Sequence, residues 1–170
     1  MGANVHIKDR FNRTPLIDAI EFDQHEVQQS LEHYVRSMSV RYISISTFQV
    51  IKILMQCGAH LHGSAYAIGE KMCAAAAVGN LKRLRSYQLA SADLSQKDFS
   101  GRTPLHYAAL HNKTQVLEFL LDQNVEAGCL DKTGQSPHDL AKVSGSADAA
   151  KILSPASYPN STLIAEETSR

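Results

Sequence analysis

Apolar residues in the middle of this chain recur as paired helical stripes. Leu105, Ala108 and Ala109 share one helical face, and Val116, Leu117, Leu120 and Leu121 form a second stripe after a short loop. Ahead of the pair, Asp98-Phe99-Ser100-Gly101 reads as a tight turn in which glycine supplies a positive φ. Thr103 can cap the first helix with its hydroxyl, and Pro104 suits the first helical position, where no N–H is needed. The pattern predicts a turn, a helix, a short loop and a second helix.

This unit repeats. Asp98-x-x-Gly101-x-Thr103-Pro104 returns as Asp131-x-x-Gly134-x-Ser136-Pro137, which sets a period of about 33 residues. An earlier copy is Asp9-x-x-Asn12-x-Thr14-Pro15-Leu16, with Asn12 at the turn position that favours a left-handed backbone. Between them lies Met72-Cys73-Ala74-Ala75-Ala76-Ala77-Val78-Gly79-Asn80-Leu81, a degenerate unit without its Thr-Pro pair. Its Ala75 and Ala76 stand one period before Ala108 and Ala109.

The first two units are too far apart for that period. Removing 27–49 joins His25-Glu26 to Val50-Ile51 and restores it. The expected architecture is all-α, about four helix-turn-helix units with short β-turn fingers in one domain, 1–153. The units span about 8–61 with an insert at 27–49, then 62–95, 97–128 and 130–153. The tail 154–170, rich in Ser, Thr, Pro and Glu, reads as disordered. As an interruption within a helix, the insert should weaken packing in the first unit. It reads either as a loop insertion or as a translated intron, since Val codons start with GT and Phe48-Gln49 can be encoded TTTCAG; sequencing the transcript separates the two. The opening Met1–Val5 resembles the end of a preceding repeat, which suggests a fragment of a longer protein with an exposed stacking face.

Composition narrows the setting. Seventeen basic residues balance seventeen acidic ones, so nothing resembles the electrostatic footprint of a nucleic-acid binder. The absence of Trp and only 6% aromatic residues suit a core of stacked helices built from Ala, Leu, Ile and Val. No apolar run approaches the ~20 residues of a membrane span, and MGANVHIKDR lacks a signal-peptide core. Three cysteines without a CxxC pair, Cys57, Cys73 and Cys129, favour free thiols in a reducing compartment. Cytoplasmic or nuclear residence is expected, with the sequons at Asn12, Asn112 and Asn160 unused.

Candidate chemistry is sparse. Cys57, His60 and His62 lie close together, but no second Cys/His pair stands at zinc-finger spacing, so no metal site is expected. His106 is expected to hydrogen-bond between neighbouring units, and Cys73, one period earlier, to be a buried structural thiol. Glu118 and Asp122 read as a solvated helix face. No nucleophile elbow, metalloprotease motif or phosphate-binding loop is present. No catalytic residue and no cofactor are therefore expected. In repeat arrays the binding surface gathers on the turn tips. Those tips carry Arg10, Phe11 and Arg13, then Lys97, Phe99 and Arg102, then Lys132 and Gln135, a row suited to an acidic or peptide-like protein partner.

Thr103-Pro104-Leu105-His106-Tyr107-Ala108 matches the T-P-L-H-x-A signature of ankyrin repeats, and the units together resemble that family over roughly 1–153. A closer resemblance rests on the sequence Lys8 to Ala19, on Gly58-Ala59-His60-Leu61, and on Met72 to Leu81 leading to Ala92-Asp93-Leu94. This order is similar to the ankyrin tail of animal cytosolic asparaginases, also described as lysophospholipase-like. The Lys-Asp-Arg-x-Asn-x-Thr-Pro element is also similar to the ankyrin tail of glutaminases. Both families carry hydrolysis in an upstream domain whose nucleophile motifs are missing here. The resemblance implies a non-catalytic protein-interaction or scaffold module. It implies as alternative the C-terminal portion of an asparaginase-like amidohydrolase. Either way it implies a protein partner or a parent enzyme domain, with no nucleic acid, membrane or small-molecule substrate for this chain.

Overall fold

In a computed structural model, residues 5–11, 13–21 and 46–154 are described. They form eight helices in chain order: α1 (Pro15–Glu21), α2 (Thr47–Gln56), α3 (Ala65–Val78), α4 (Leu81–Leu89), α5 (Pro104–Leu110), α6 (Thr114–Asp122), α7 (Pro137–Val143) and α8 (Ala147–Ile152). Among the described residues there is no strand. Asn12, most of the expected insert (27–45) and the tail from 155 onward lie outside them.

The chain divides into two compact units. The first holds the residues up to Gly63 and Arg85–Ala92; the second holds Ser64–Leu84 and the residues from Asp93 onward. In the first, α1 packs on α2, with Leu16, Ala19 and Ile20 buried on one helix and Ile51 and Leu54 on the other. The last three residues of the expected insert, Thr47–Gln49, form the first turn of α2. Ser46 accepts from the Gln49 N–H while Gln49 Oε1 accepts from the Ser46 N–H, a capping box that starts the helix by itself. This helix therefore starts at Thr47 with a cap of its own and runs without a break to Gln56.

In the second unit α3, α5 and α7 lie side by side, and each long pair folds back on itself, α5 with α6 and α7 with α8. Small residues let the first helices approach: Ala75 and Ala76 on α3, Ala108 and Ala109 on α5, and Ala141 on α7 are all buried. Val116, Leu117, Leu120 and Leu121 of α6 supply the larger apolar surface. Each such leucine, fully buried, contributes about 1.5–3 kcal/mol relative to exposure. The expected stripes are thus the core.

The degenerate unit differs at its start. Its first helix begins at Ala65, capped by Ser64 Oγ accepting from the Ala67 N–H, six residues before the position that Pro104 would predict. Without a Thr-Pro turn the chain simply enters the helix early. The added turn lies so close to the next finger that a Cβ on Gly69 would stand 2.7 Å from Lys97 O. The period is also written in the backbone. Gly58, Ser91 and Asn124 follow one another at that interval with φ of 85°, 59° and 57°, and Gly79, Asn112 and Gly145 do the same at 80°, 52° and 73°.

Candidate functional site

The fingers are built from one aspartate each. Asp98 Oδ1 accepts from the N–H groups of Ser100 and Arg102, the Asp98 N–H donates to Arg102 O, and the Gly101 N–H returns to Asp98 O. Asp131 repeats this with Thr133, Gln135 and Gly134. Asp9 Oδ1 likewise accepts from the N–H groups of Phe11 and Arg13. A short acceptor that folds back on its own backbone fixes the tip, and so fixes where the next side chains point.

Successive repeats in the second unit are joined by a second set of bonds. His106 Nδ1 accepts from the Thr103 N–H at 3.1 Å and meets the Thr103 hydroxyl at 2.9 Å, so the proton sits on Nε2, which donates to Gln135 O at 3.3 Å. Burial pushes the His106 imidazole below its ordinary pKa, with the Gln135 carbonyl pulling the other way. The expected link between neighbours is present. Cys73 does the same job one repeat earlier: its thiol donates to Arg102 O, the counterpart of Gln135 in the preceding finger. Desolvation, with Asp98 nearby, pushes this thiol up to about 12, so it is inert as a nucleophile. Asn112 is committed too, donating to Asp148 Oδ2 and accepting from the Ala149 N–H.

The eight expected contact residues fall into two groups. In the first unit Arg10 and Arg13 flank the Phe11 ring, their guanidinium carbons 4.7 and 5.1 Å from its centroid. Phe11 is 61% exposed. Arg13 is held by Asp9 at 2.9 Å and Asp18 at 3.3 Å. In the second unit Phe99 is 67% exposed and Lys132 is exposed. Lys97 Nζ donates to Leu130 O, Arg102 Nε donates to Asp131 Oδ2 at 3.0 Å, and Gln135 carries its bonds to the finger and to His106. Lys97, Arg102 and Gln135 thus help build the scaffold, while Phe99 and Lys132 present its outer tips.

One tip residue escaped the sequence reading. Tyr66, 53% exposed, stacks on Phe99 with centroids 5.3 Å apart and planes 10° from parallel. It stands one period before Phe99, as Lys132 stands one period after, so the period itself was the missed signal. Histidines make a second cluster. His6, His60 and His62 of the first unit bring a ligating atom each within 4.8 Å of one another. The sequence expectation considered Cys57 with His60 and His62; the third member is instead His6, far away in the chain. Glu118 and Asp122 are exposed on α6.

A family model described as ankyrin repeats (3 copies) matches residues 71–162. The chain belongs to the ankyrin-repeat family. Among its ankyrin-bearing relatives, an L-asparaginase of Dirofilaria immitis is 24% identical over 83% of this chain and 20% of its own length. Ankyrin repeat domain-containing protein 37 of Mus musculus is 34% identical over 61% of this chain and 65% of its own. The mitochondrial liver isoform of glutaminase from the same animal is 33% identical over 54% of this chain and 15% of its own. This ankyrin chain therefore spans a fifth or less of the two enzymes and just under two thirds of the small ankyrin protein. Among the described residues no helix is long and apolar enough to cross a membrane.

Proposed function

We propose that this chain is a protein-interaction module that holds its partner on the finger tips and does no catalysis of its own. The observation that carries this reading is the exposed stack of Tyr66 on Phe99. Aromatic side chains offer large contact area for little lost rotamer entropy, and they dominate interface hot spots together with arginine. Lys132 on the following finger adds positive charge, which favours a partner surface carrying both apolar and acidic groups. Two buried groups of the second unit that could otherwise act as nucleophile or base are bound up in structure: the Cys73 thiol is protonated and His106 has both nitrogens engaged.

Site-specific photocrosslinking tests the surface. A photoreactive phenylalanine at position 99 or 11 is expected to capture a discrete partner, whereas the same group at Glu118 on the exposed face of α6 is not. Crosslinks concentrated at 118 would overturn the assignment.

A second reading has its own support. Similarity to the asparaginase covers 83% of this chain, which favours a parent protein in which the module packs against an amidohydrolase domain. Sequencing the locus upstream of Met1 tests it: an in-frame asparaginase domain is expected, and a stop codon there refutes it.

A further inference from the structure

We propose that His6, His60 and His62 form a binding site for one divalent transition-metal ion of the zinc class. Here the ring centroids stand 4.6 Å (His6–His60), 5.4 Å (His6–His62) and 4.4 Å (His60–His62) apart. Each offers a ligating atom within 4.8 Å of the others. Nitrogens bound to one tetrahedral ion at about 2.0–2.1 Å lie about 3.4 Å from one another. The rings must therefore close inward by about an ångström, a movement within reach of the soft terminal torsion of histidine.

The scaffold prepares this arrangement. His60 Nδ1 donates to Gly58 O at 3.1 Å, which leaves the lone pair on Nε2, as a backbone carbonyl does for metal-bound histidines generally. The segment carrying it is pinned to the end of α2, because the Gly58 N–H donates to Met55 O and the Ala59 N–H to Leu54 O. Ala59 is buried beside His60, and Val5 is buried beside His6. His6 and His62 also hold the same place in successive repeats, in Gly2-Ala3-Asn4-Val5-His6 and Gly58-Ala59-His60-Leu61-His62. Repetition has set one histidine over its counterpart, and His60 completes the triangle.

The donor set selects the ligand class. Three neutral imidazoles suit Zn²⁺, Co²⁺, Ni²⁺ or Cu²⁺ and are a poor match for Mg²⁺ or Ca²⁺, which take oxygen. Three protein ligands leave a fourth position for water.

Co²⁺ titration of the metal-free 170-residue chain tests the site. The expected result is one saturating equivalent with visible d–d absorption, no thiolate charge-transfer band, and displacement by Zn²⁺. His6→Ala and His62→Ala should each weaken that binding at least about 100-fold, and Cys57→Ser should leave it unchanged. The proposal is overturned by failure to saturate, by a charge-transfer band that Cys57→Ser removes, or by binding that survives both histidine replacements. If an alanine variant loses its helical circular dichroism, the parent spectrum decides alone: nitrogen-type bands support the site and sulfur-type bands refute it.

Discussion

Arg13 and Arg102 hold the same place in their fingers, four residues after an aspartate, yet one closes backward and the other reaches forward. Arg13 binds Asp9 of its own finger and Asp18 of the helix behind it. Arg102 leaves Asp98 and binds Asp131 of the next repeat. The residue five places further on explains the difference. In the second unit that residue is Tyr107, whose hydroxyl donates to Asp98 Oδ2 at 2.8 Å and so occupies the oxygen that Arg102 would otherwise take. In the first it is Asp18, a second acceptor that draws the arginine inward. Its neighbour changes as well: Ile17 stands where His106 does, and the buried Thr14 hydroxyl has no hydrogen-bond partner among the described residues. One signature thus serves two ends, joining repeats where Tyr and His follow it and closing on itself where Asp and Ile do.

Removing the joining histidine should break the second unit hardest. His106→Ala leaves the Thr103 N–H without its acceptor, removes one of the two donors to Gln135 O, and opens a void at a fully buried site. It should cost about 2–4 kcal/mol in urea unfolding. Ile17→Ala, at a half-buried position with no such bonds, should cost visibly less. A pH series sharpens the same point. His106 stays neutral in the folded chain because its proton affinity there lies below the ordinary 6.5. Protons then bind the unfolded chain first. The stability linked to His106 is complete above about pH 6.5 and is lost as the pH falls below it. His106→Gln should flatten that part of the profile; an unchanged profile would show that another group is responsible.

Gly101 and Gly134 offer a matched pair. Both carry positive φ, 75° and 77°, so alanine at either is strained by about 1 kcal/mol. Only Gly101 is crowded: an added Cβ would meet Lys132 N at 3.0 Å, where the Lys132 N–H donates to Ser100 O between fingers. Gly101→Ala should therefore lose roughly 1 kcal/mol more than Gly134→Ala. Equal losses would mean that the fingers yield and that the bond between them carries little.

The ion pairs come next. Asp131 has a side chain only 2% exposed. Burial opposes its charge, but bonds from Thr133, the Gln135 N–H and Arg102 outweigh that and hold its carboxyl well below the usual range. Arg102→Met strips one of these partners and should cost about 1–2 kcal/mol. Arg13→Met, whose partners Asp9 and Asp18 have side chains 32% and 14% exposed against 2% for Asp131, should cost less and shift the unfolding midpoint by a smaller step.

Much of this was legible in the sequence because ankyrin repeats write their bonds at fixed intervals. Thr103-Pro104, the Ala pairs and the leucine stripe of α6 gave helix positions that the structure reproduces. The role of His106 followed from its motif. Other features needed three dimensions. The cap of α2 lay in residues assigned to the insert, since Ser46 and Gln49 declare a helix start only once their mutual bonds are seen. Whether an arginine faces a partner or a neighbouring aspartate depends on Tyr107 or Asp18, a competition that composition does not reveal. The histidine cluster escaped because ligand spacing was judged along the chain, while His6 reaches it through the repeat.

The smallest expected effect runs in the opposite direction. Ile17→His would give the first unit the residue that the second already has. Thr103 meets a ring nitrogen in its own helix's first turn; Thr14, 1% exposed and lacking such a partner, would gain the same acceptor. A local hydrogen bond to a buried hydroxyl contributes about 0.5–1.5 kcal/mol. The lost methyl contacts of a half-buried isoleucine offset part of it, so the net gain should be a few tenths of a kcal/mol. Thermal unfolding of the variant measures this, with Thr14→Val as the partner mutation in a double-mutant cycle. A coupling of zero between positions 14 and 17 would show that the difference between the two signatures lies in Asp18 and Tyr107 alone.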